Sequence, residues 1–445
     1  MRKPGVGVAA MVALAALGAA TALGAQAAGA AAAQHGGRGI AGEWSGSVAS
    51  VPLVLHIVKA GAGWSATLDS PTQHAFGLQT ANLQWRPPHL SFALPVAQAS
   101  YAGVMNASGE IQGAWTQGGA SLTLTLRRGP ARPVKMAAFS MPSGVRQIQV
   151  AIPAGQGEGT LAGTLSEPAA DPPAHGWPGA VILAGSGPTD RNGNNPLEPI
   201  QSNTYAKLAA YLSAHGVAVL RYDKRGLGGS ASAPLPRHMR RFATDARWAA
   251  RWLMRQPGVN PRRVTLIGHS LGSALALMAA AQPAPRLPAP LAGIVSLEGA
   301  GRTMAAVLDW QQQEQERRAA SNPAMVVKVK QGFAALRTRM ERTSLLRSFL
   351  ALDPPAAARR DRLPTLVIQG GKDIQVTAAL DARPLAGAIP VSTPHELKVF
   401  PDMTHMLEDY SGAPGPAEYR SPADTPLDPG MLRATLAWVK QPGAS

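Results

Sequence analysis

Val264-Thr265-Leu266-Ile267-Gly268-His269-Ser270-Leu271-Gly272 reads as a short apolar strand that runs into a serine turn. The Ala/Leu-rich residues 273–281 then continue it as a helix. A serine at the tip of such a turn is held on a strained backbone, with its hydroxyl exposed above the sheet. Gly268 and Gly272 answer a steric need, because side chains there would collide across the tight turn. Glycine supplies 47 of the 445 residues, so Gly-x-Ser-x-Gly alone says little. The strand before it and the helix after it give it weight.

Two further segments follow in a telling order. Thr365-Leu366-Val367-Ile368-Gln369-Gly370-Gly371-Lys372-Asp373 reads as a buried strand ending in a flexible turn that carries a carboxylate. Leu397-Lys398-Val399-Phe400 reads as a last strand, followed by Pro401-Asp402-Met403-Thr404-His405. Ser, then Asp, then His is the chain order of the α/β-hydrolase triad, unlike the chymotrypsin and subtilisin orders. On these residues the chain resembles the α/β-hydrolase superfamily, closest to its secreted bacterial esterase and serine-aminopeptidase-like branch. The resemblance covers about residues 140–440.

Length predicts two domains plus an appendage, and 45% apolar residues suffice for a sizeable core. Arg2 and Lys3 precede an Ala/Val/Leu run over 6–23, and Ala25-Gln26-Ala27 fits a signal-peptidase site. Residues 1–27 therefore read as a signal peptide; the run is also long enough for an uncleaved anchor. The expected location is periplasmic or secreted, with no integral membrane span after cleavage. The absence of cysteine excludes disulfides and a cysteine-linked lipid anchor.

The formal charge of +16 accompanies few aromatics, 5%, and no nucleic-acid motif, so no nucleic-acid partner is expected. Basic side chains outnumber acidic ones between Arg317 and Arg362. That excess reads as a solvated helical face, or as weak attraction to an anionic envelope surface.

Residues 28–41 read as a disordered leader, and 42–128 as an antiparallel β domain of short strands between Gly, Asn and Ser turns. Asn106-Ala107-Ser108-Gly109 reads as a hairpin turn, and Ser121-Leu122-Thr123-Leu124-Thr125-Leu126 alternates, with three leucines on one face. Trp44, Trp64, Trp85 and Trp115 are expected in the core of a small sandwich or barrel. A Pro/Arg-rich linker, 129–141, leads to a catalytic domain over 142–441. There strands at 147–152, 159–165, 180–183, 217–221 and 293–297 alternate with helices at 204–214 and 242–255. This pattern predicts an α/β fold with a mostly parallel sheet. Residues 302–355, helical and rich in Gln, Glu and Arg, are expected to form a cap over the active site.

Ser270 is the candidate nucleophile, and it needs an adjacent base. His405 is the candidate base, returning the proton to the leaving group as an acid. His395 is the nearest rival, but it precedes the last strand. Asp373 would orient the imidazole; Gly-Gly-Lys-Asp resembles the commoner placement of the family acid. Glu298, ending the strand before, is the alternative acid.

The oxyanion hole needs two amide donors. One is Leu271 N–H, after the nucleophile. The loop Ala184-Gly185-Ser186-Gly187-Pro188-Thr189-Asp190-Arg191 resembles the family's Gly-Ser-Gly-Pro-x-Asp-Arg segment, which implies Ser186 as the other donor, with Gly187 as the alternative register. Arg221-Tyr222-Asp223-Lys224-Arg225-Gly226 resembles another family segment, in which Asp223 and Arg225 are expected to tie loops together.

No metal set is visible and no cofactor is expected. The resemblance implies a serine hydrolase acting on small-molecule carboxylic esters through an acyl-enzyme. Amide hydrolysis of the aminopeptidase kind, acyl transfer to an alcohol, and envelope binding with vestigial catalysis stand as alternatives.

Overall fold

The computed structural model describes residues 39–443 except 49–50, 71–74, 98, 118–119, 130–138, 188, 196–201, 231, 342, 416–417 and 420–421. The expected signal peptide, most of the leader and most of the linker lie outside the described residues. The chain divides into two compact units, one holding the β domain and the other the α/β domain.

In the β domain the strands run β1 (Gly42–Val48), β2 (Val51–Ala60), β3 (Gly63–Ser70), β4 (Ala75–Gln79), β5 (Ala81–Arg86), β6 (His89–Leu94), β7 (Ala99–Met105), β8 (Ile111–Gln117) and β9 (Ala120–Arg128). They pair antiparallel in the order β4-β3-β2-β1-β9-β8-β7-β6-β5, a nearly closed barrel. Period-2 alternation points Leu53, Leu55 and Ile57 of β2 inward and leaves Val58 exposed. Trp44 and Trp115 are buried and Trp64 and Trp85 pack against them, so the tryptophans are core. Of the three leucines on β9, Leu124 and Leu126 are buried and Leu122 is exposed.

The ordered domain starts earlier than the leader reading has it. Ile40 is fully buried, its carbonyl accepts the Trp44 indole N–H at 2.8 Å, and the Arg128 guanidinium holds the Ala41 and Gly39 carbonyls. An Ala/Gly-rich stretch gives no periodic signal, but one isoleucine and its carbonyl suffice to dock residues 39–41.

The α/β unit continues with β10 (Val145–Pro153), β11 (Thr160–Pro168), β12 (Trp177–Leu183), α1 (Thr204–Ala214), β13 (Ala218–Tyr222), α2 (Arg240–Leu253), β14 (Val259–His269), α3 (Leu271–Ala281) and β15 (Gly293–Leu297). Then come α4 (Met304–Arg318), α5 (Pro323–Met340), α6 (Ser344–Leu350), α7 (Pro354–Ala358), β16 (Thr365–Gly370), α8 (Arg383–Ala388), β17 (His395–Phe400) and α9 (Pro429–Lys440). The sheet order is β10-β11-β13-β12-β14-β15-β16-β17, antiparallel over its first three strands and parallel from β13 onward. This is the α/β-hydrolase architecture. Strands β12, β13, β15 and β16 are buried on both faces, which is why they read as unbroken apolar runs.

Helices cover both faces. α2 and α3 pack with one apolar cluster that includes Leu253, Leu266 and Leu275, while α1 and α9 pack with another that includes Leu208, Leu212 and Val439. In α2, Phe242, Ala243, Ala246, Ala249, Ala250 and Leu253 recur at helical spacing and are buried. Side-chain caps set several helix starts: Thr303 accepts from Ala306 N–H, Thr343 from Leu346, Asp353 from Ala356 and Asp428 from Met431. Among the described residues no helix is long and apolar enough to cross a membrane.

Candidate active site

The parallel register brings several loops to one edge. Leu183 pairs with Gly268, Gly268 with Ser296, and Leu297 with Ile368. The carboxyl ends of β12, β14, β15 and β16 therefore lie side by side, where open α/β sheets bind ligands.

Ser270 sits between β14 and α3 at φ 54°, ψ −121°, a backbone conformation that costs a non-glycine residue energy. Its N–H donates to the Leu297 carbonyl at 2.8 Å, tying the turn to the neighbouring strand. The flanking glycines are required by contact. A Cβ on Gly268 would meet the Gly272 carbonyl oxygen at 2.2 Å, and one on Gly272 the Leu183 oxygen at 2.1 Å.

His405 and Asp373 come together. The imidazole Nδ1 donates to Asp373 Oδ2 at 2.7 Å, and both residues are buried. The other carboxylate oxygen accepts the amides of Gln375 at 2.6 Å and Val376 at 3.1 Å. Burial pulls the Asp373 carboxyl up, yet His405 beside it and hydrogen bonds from His405, Glu298 and Gln375 leave it below the ordinary aspartate range. His395, the rival base, opens β17 rather than preceding it, and its Nδ1 donates to the Thr393 carbonyl at 2.8 Å.

Glu298 lies beside this pair, fully buried and at φ 49°. It bonds Asp373 and Gln369, and accepts the Gly370 N–H at 2.7 Å. Burial, then the Asp373 charge, push its carboxyl well above the ordinary range, which favours the protonated form that can donate toward Asp373. Among the described residues only Asp373 bonds the His405 ring. Glu298, Asp373 and His405 offer atoms within 4.8 Å of one another, the spacing of a metal set. Their atoms are already engaged in hydrogen bonds with one another and with Gly370, Gln369 and Gln375, which is the pattern of a proton network.

The Ser270 hydroxyl and His405 Nε2 make no hydrogen bond to any described residue, so the nucleophile–base bond itself is open. Ser270 lines a pocket of about 20 Å³ with Ser186, Leu271, Glu298, Met304 and Leu308. That holds about one water-sized sphere. Met304, Val307, Leu308 and Gln311 come from α4 and Phe349 from α6, so the helical segment covers the serine as a cap. A hollow of about 610 Å³ lined by Lys207, Asp424 and Leu432 shares none of these residues and, among the described residues that line it, holds no nucleophile–base pair.

Three groups that sequence reasoning missed hold the site. The Tyr205 hydroxyl accepts the Gly185 N–H at 2.9 Å and faces His269 Nδ1 at 2.9 Å. His269 Nε2 faces the His405 carbonyl at 2.8 Å. A carbonyl only accepts, so Nε2 carries the proton and Nδ1 takes the tyrosine proton. Burial pushes His269 down to about 3, which keeps it neutral. The third group is Lys224, whose Nζ bonds the carbonyls of Gly185 and Gly187. Neither Ser186 N–H nor Leu271 N–H has an acceptor among the described residues.

Asp223 and Arg225 do tie loops. Asp223 accepts the Arg191 amide at 2.9 Å and its guanidinium at 2.7 Å; Arg225 pairs with Asp245 through two bonds of 2.6 and 2.8 Å.

A family model described as "Serine aminopeptidase, S33" matches residues 200–409. An uncharacterized protein of Mycobacterium tuberculosis is 38% identical over 112 residues, covering 25% of this chain and 37% of that one. Esterase EstD of Thermotoga maritima is 29% identical over 254 residues, 55% of this chain and 58% of that one. The chain thus spans from about a third to somewhat over half of the length of these relatives. A solved Pyrococcus furiosus esterase, PF2001, is 14% identical with a TM-score of 0.45, covering 70% of this chain and 97% of that one. A dienelactone hydrolase from Anabaena variabilis is 19% identical with a TM-score of 0.39, covering 67% and 97%.

Proposed function

We propose that this chain, which belongs to the α/β-hydrolases, is a secreted serine esterase that cleaves small carboxylic esters through an acyl-enzyme on Ser270. The observation that carries this reading is the strained serine at the carboxyl edge of the sheet, with a buried His405–Asp373 pair delivered to the same edge. A serine held at φ 54°, with a hydroxyl that is unpaired among the described residues, is poised for a reacting partner rather than for a structural one. In the proposed cycle, His405 Nε2 takes the Ser270 proton as the oxygen adds to the ester carbonyl. Ser186 N–H and Leu271 N–H receive the oxyanion, the protonated imidazole donates to the leaving alcohol, and water repeats the sequence to free the acid. Asp373 keeps the proton on Nδ1, so that Nε2 is the basic nitrogen. The Ser270–His405 bond would form as substrate enters, since such contacts are often long in the empty enzyme.

The small capped pocket supports short acyl groups. Secretion rests on the basic, apolar and small-residue order of residues 1–27. The match to a serine-aminopeptidase model supports a second reading, hydrolysis of an amide at the same serine. The deciding experiment sets p-nitrophenyl esters of increasing acyl length beside aminoacyl p-nitroanilides, for wild type and Ser270→Ala, with fluorophosphonate labelling. Ester turnover and labelling that both vanish in Ser270→Ala are expected. Faster anilide turnover would move the chain to the peptidase reading, and an unlabelled wild type would defeat both.

A further inference from the structure

Lys224 takes no part in the proton transfers above, yet it is buried and has no carboxylate partner among the described residues. Its partners among the described residues are two carbonyl oxygens, those of Gly185 and, at 2.8 Å, Gly187. Burial pulls its ammonium down to about 7. An uncompensated buried cation is costly, and two carbonyls are modest recompense. The cost suggests that the side chain is kept for what it does to the loop.

The geometry of a peptide unit says what that is. The peptide joining Gly185 to Ser186 is planar and trans, so its N–H points opposite its C=O. Holding the Gly185 oxygen on Lys224 therefore turns the Ser186 N–H to the other side. Gly185 lies against the nucleophile there, since a Cβ placed on it would be 3.4 Å from Ser270 Cβ, and Ser186 and Ser270 line one pocket. Tyr205 fixes the preceding amide of the same residue. The next peptide is held independently, because the Ser186 carbonyl accepts the Thr189 hydroxyl at 2.8 Å. Neighbours of Lys224 grip the far end of the loop: Arg221 bonds Asn192 Oδ1, and Asp223 accepts the Arg191 amide.

We propose that Lys224 is the positioning residue of the oxyanion hole, holding the Gly185–Gly187 loop so that Ser186 N–H joins Leu271 N–H in facing the oxygen that turns negative. This rests on the serine-hydrolase reading and selects Ser186 over Gly187 as the loop's donor.

The test compares wild type with Lys224→Met on p-nitrophenyl acetate, dividing turnover by the sites that a fluorophosphonate titrates to completion. A trifluoromethyl ketone, whose adduct on the serine carries an oxyanion, is the second probe. A misplaced donor should lower kcat per titrated site on the order of 10²-fold, with KM little changed and ketone affinity falling in parallel. Lys224→Arg, which keeps donors for both carbonyls, should recover part of each. A merely structural lysine would reduce the number of titratable sites and the thermal midpoint, leaving turnover per site and ketone affinity at wild-type values. That result rejects the proposal. If Lys224→Met does not fold, Lys224→Gln is read on the same two quantities. Failure of the underlying reading looks different, because wild type itself would then neither turn over ester nor take up fluorophosphonate.

Discussion

His269 donates its Nε2–H to the backbone carbonyl of His405 at 2.8 Å, so the residue before the candidate nucleophile holds the loop of the candidate base. The rings lie 5.0 Å apart. His269 Nδ1 takes the proton of Tyr205, whose oxygen in turn accepts Gly185 N–H. One neutral relay therefore connects the oxyanion loop, the serine turn and the histidine loop. These three segments are remote in sequence, and none contacts the others through the reacting atoms alone.

His269→Phe keeps a ring in the space and removes both bonds. It orphans the Tyr205 proton and the His405 carbonyl in a buried site, at a cost of about 1–3 kcal/mol for each group. Urea unfolding should register the loss, and ester kcat should fall on the order of 10²-fold as the imidazole shifts. Unchanged kcat in a destabilised variant would reduce the relay to packing.

The two carboxylates make opposite predictions. Asp373→Asn leaves the shape but presents the wrong partner to Nδ1, so kcat should fall by about 10⁴-fold. Glu298→Gln keeps the shape beside Asp373 and should keep kcat within about tenfold, because the upward push on this carboxyl favours the protonated form that an amide mimics. Steady-state ester kinetics on both variants decides. A reversed ranking would make Glu298 the acid of the triad.

Much of this arrangement was legible from residues alone. The elbow, the strands ending in Leu297, Gly370 and Phe400, and the helical insertion all announce themselves through period, glycine and chain order. Tyr205, His269 and Lys224 do not. Tyr205 looks like an ordinary aromatic on a helix, and Lys224 like one more cation in a chain of formal charge +16. Their partners are backbone groups such as Gly185 N–H and the His405 carbonyl, which every residue possesses and no motif records. The upward push on the Glu298 carboxyl is equally invisible, since it follows from burial beside Asp373.

The cap makes the pocket small, so acyl length is a readout of its walls. Leu308 is 1% exposed and lines the pocket from α4. Leu308→Ala should raise kcat/KM for hexanoyl relative to acetyl esters and cost about 2–5 kcal/mol of stability. An unaltered chain-length preference would place the acyl group elsewhere.

Glu418 yields a prediction in pH rather than in rate. It is 1% exposed, and burial, followed by the Asp373 charge, pushes its carboxyl up to about 8. The ordinary glutamate value applies once the chain unfolds, about 4.3. Between those values the folded protein binds more protons at this site than the unfolded chain does, so stability falls as pH rises. The contribution is complete below the unfolded value and is lost as pH climbs through about 8. Other groups contribute in the same window, His269 among them because it gains a proton near its ordinary value only when the chain unfolds, and the slope of wild type alone would mix them. Glu418→Gln removes only this one. Its thermal midpoint relative to wild type should therefore rise steadily from pH 5 to pH 9, by several degrees in all. A midpoint difference that stays constant across that range would mean that Glu418 is ionised in the folded protein, with a second negative charge close to Asp373.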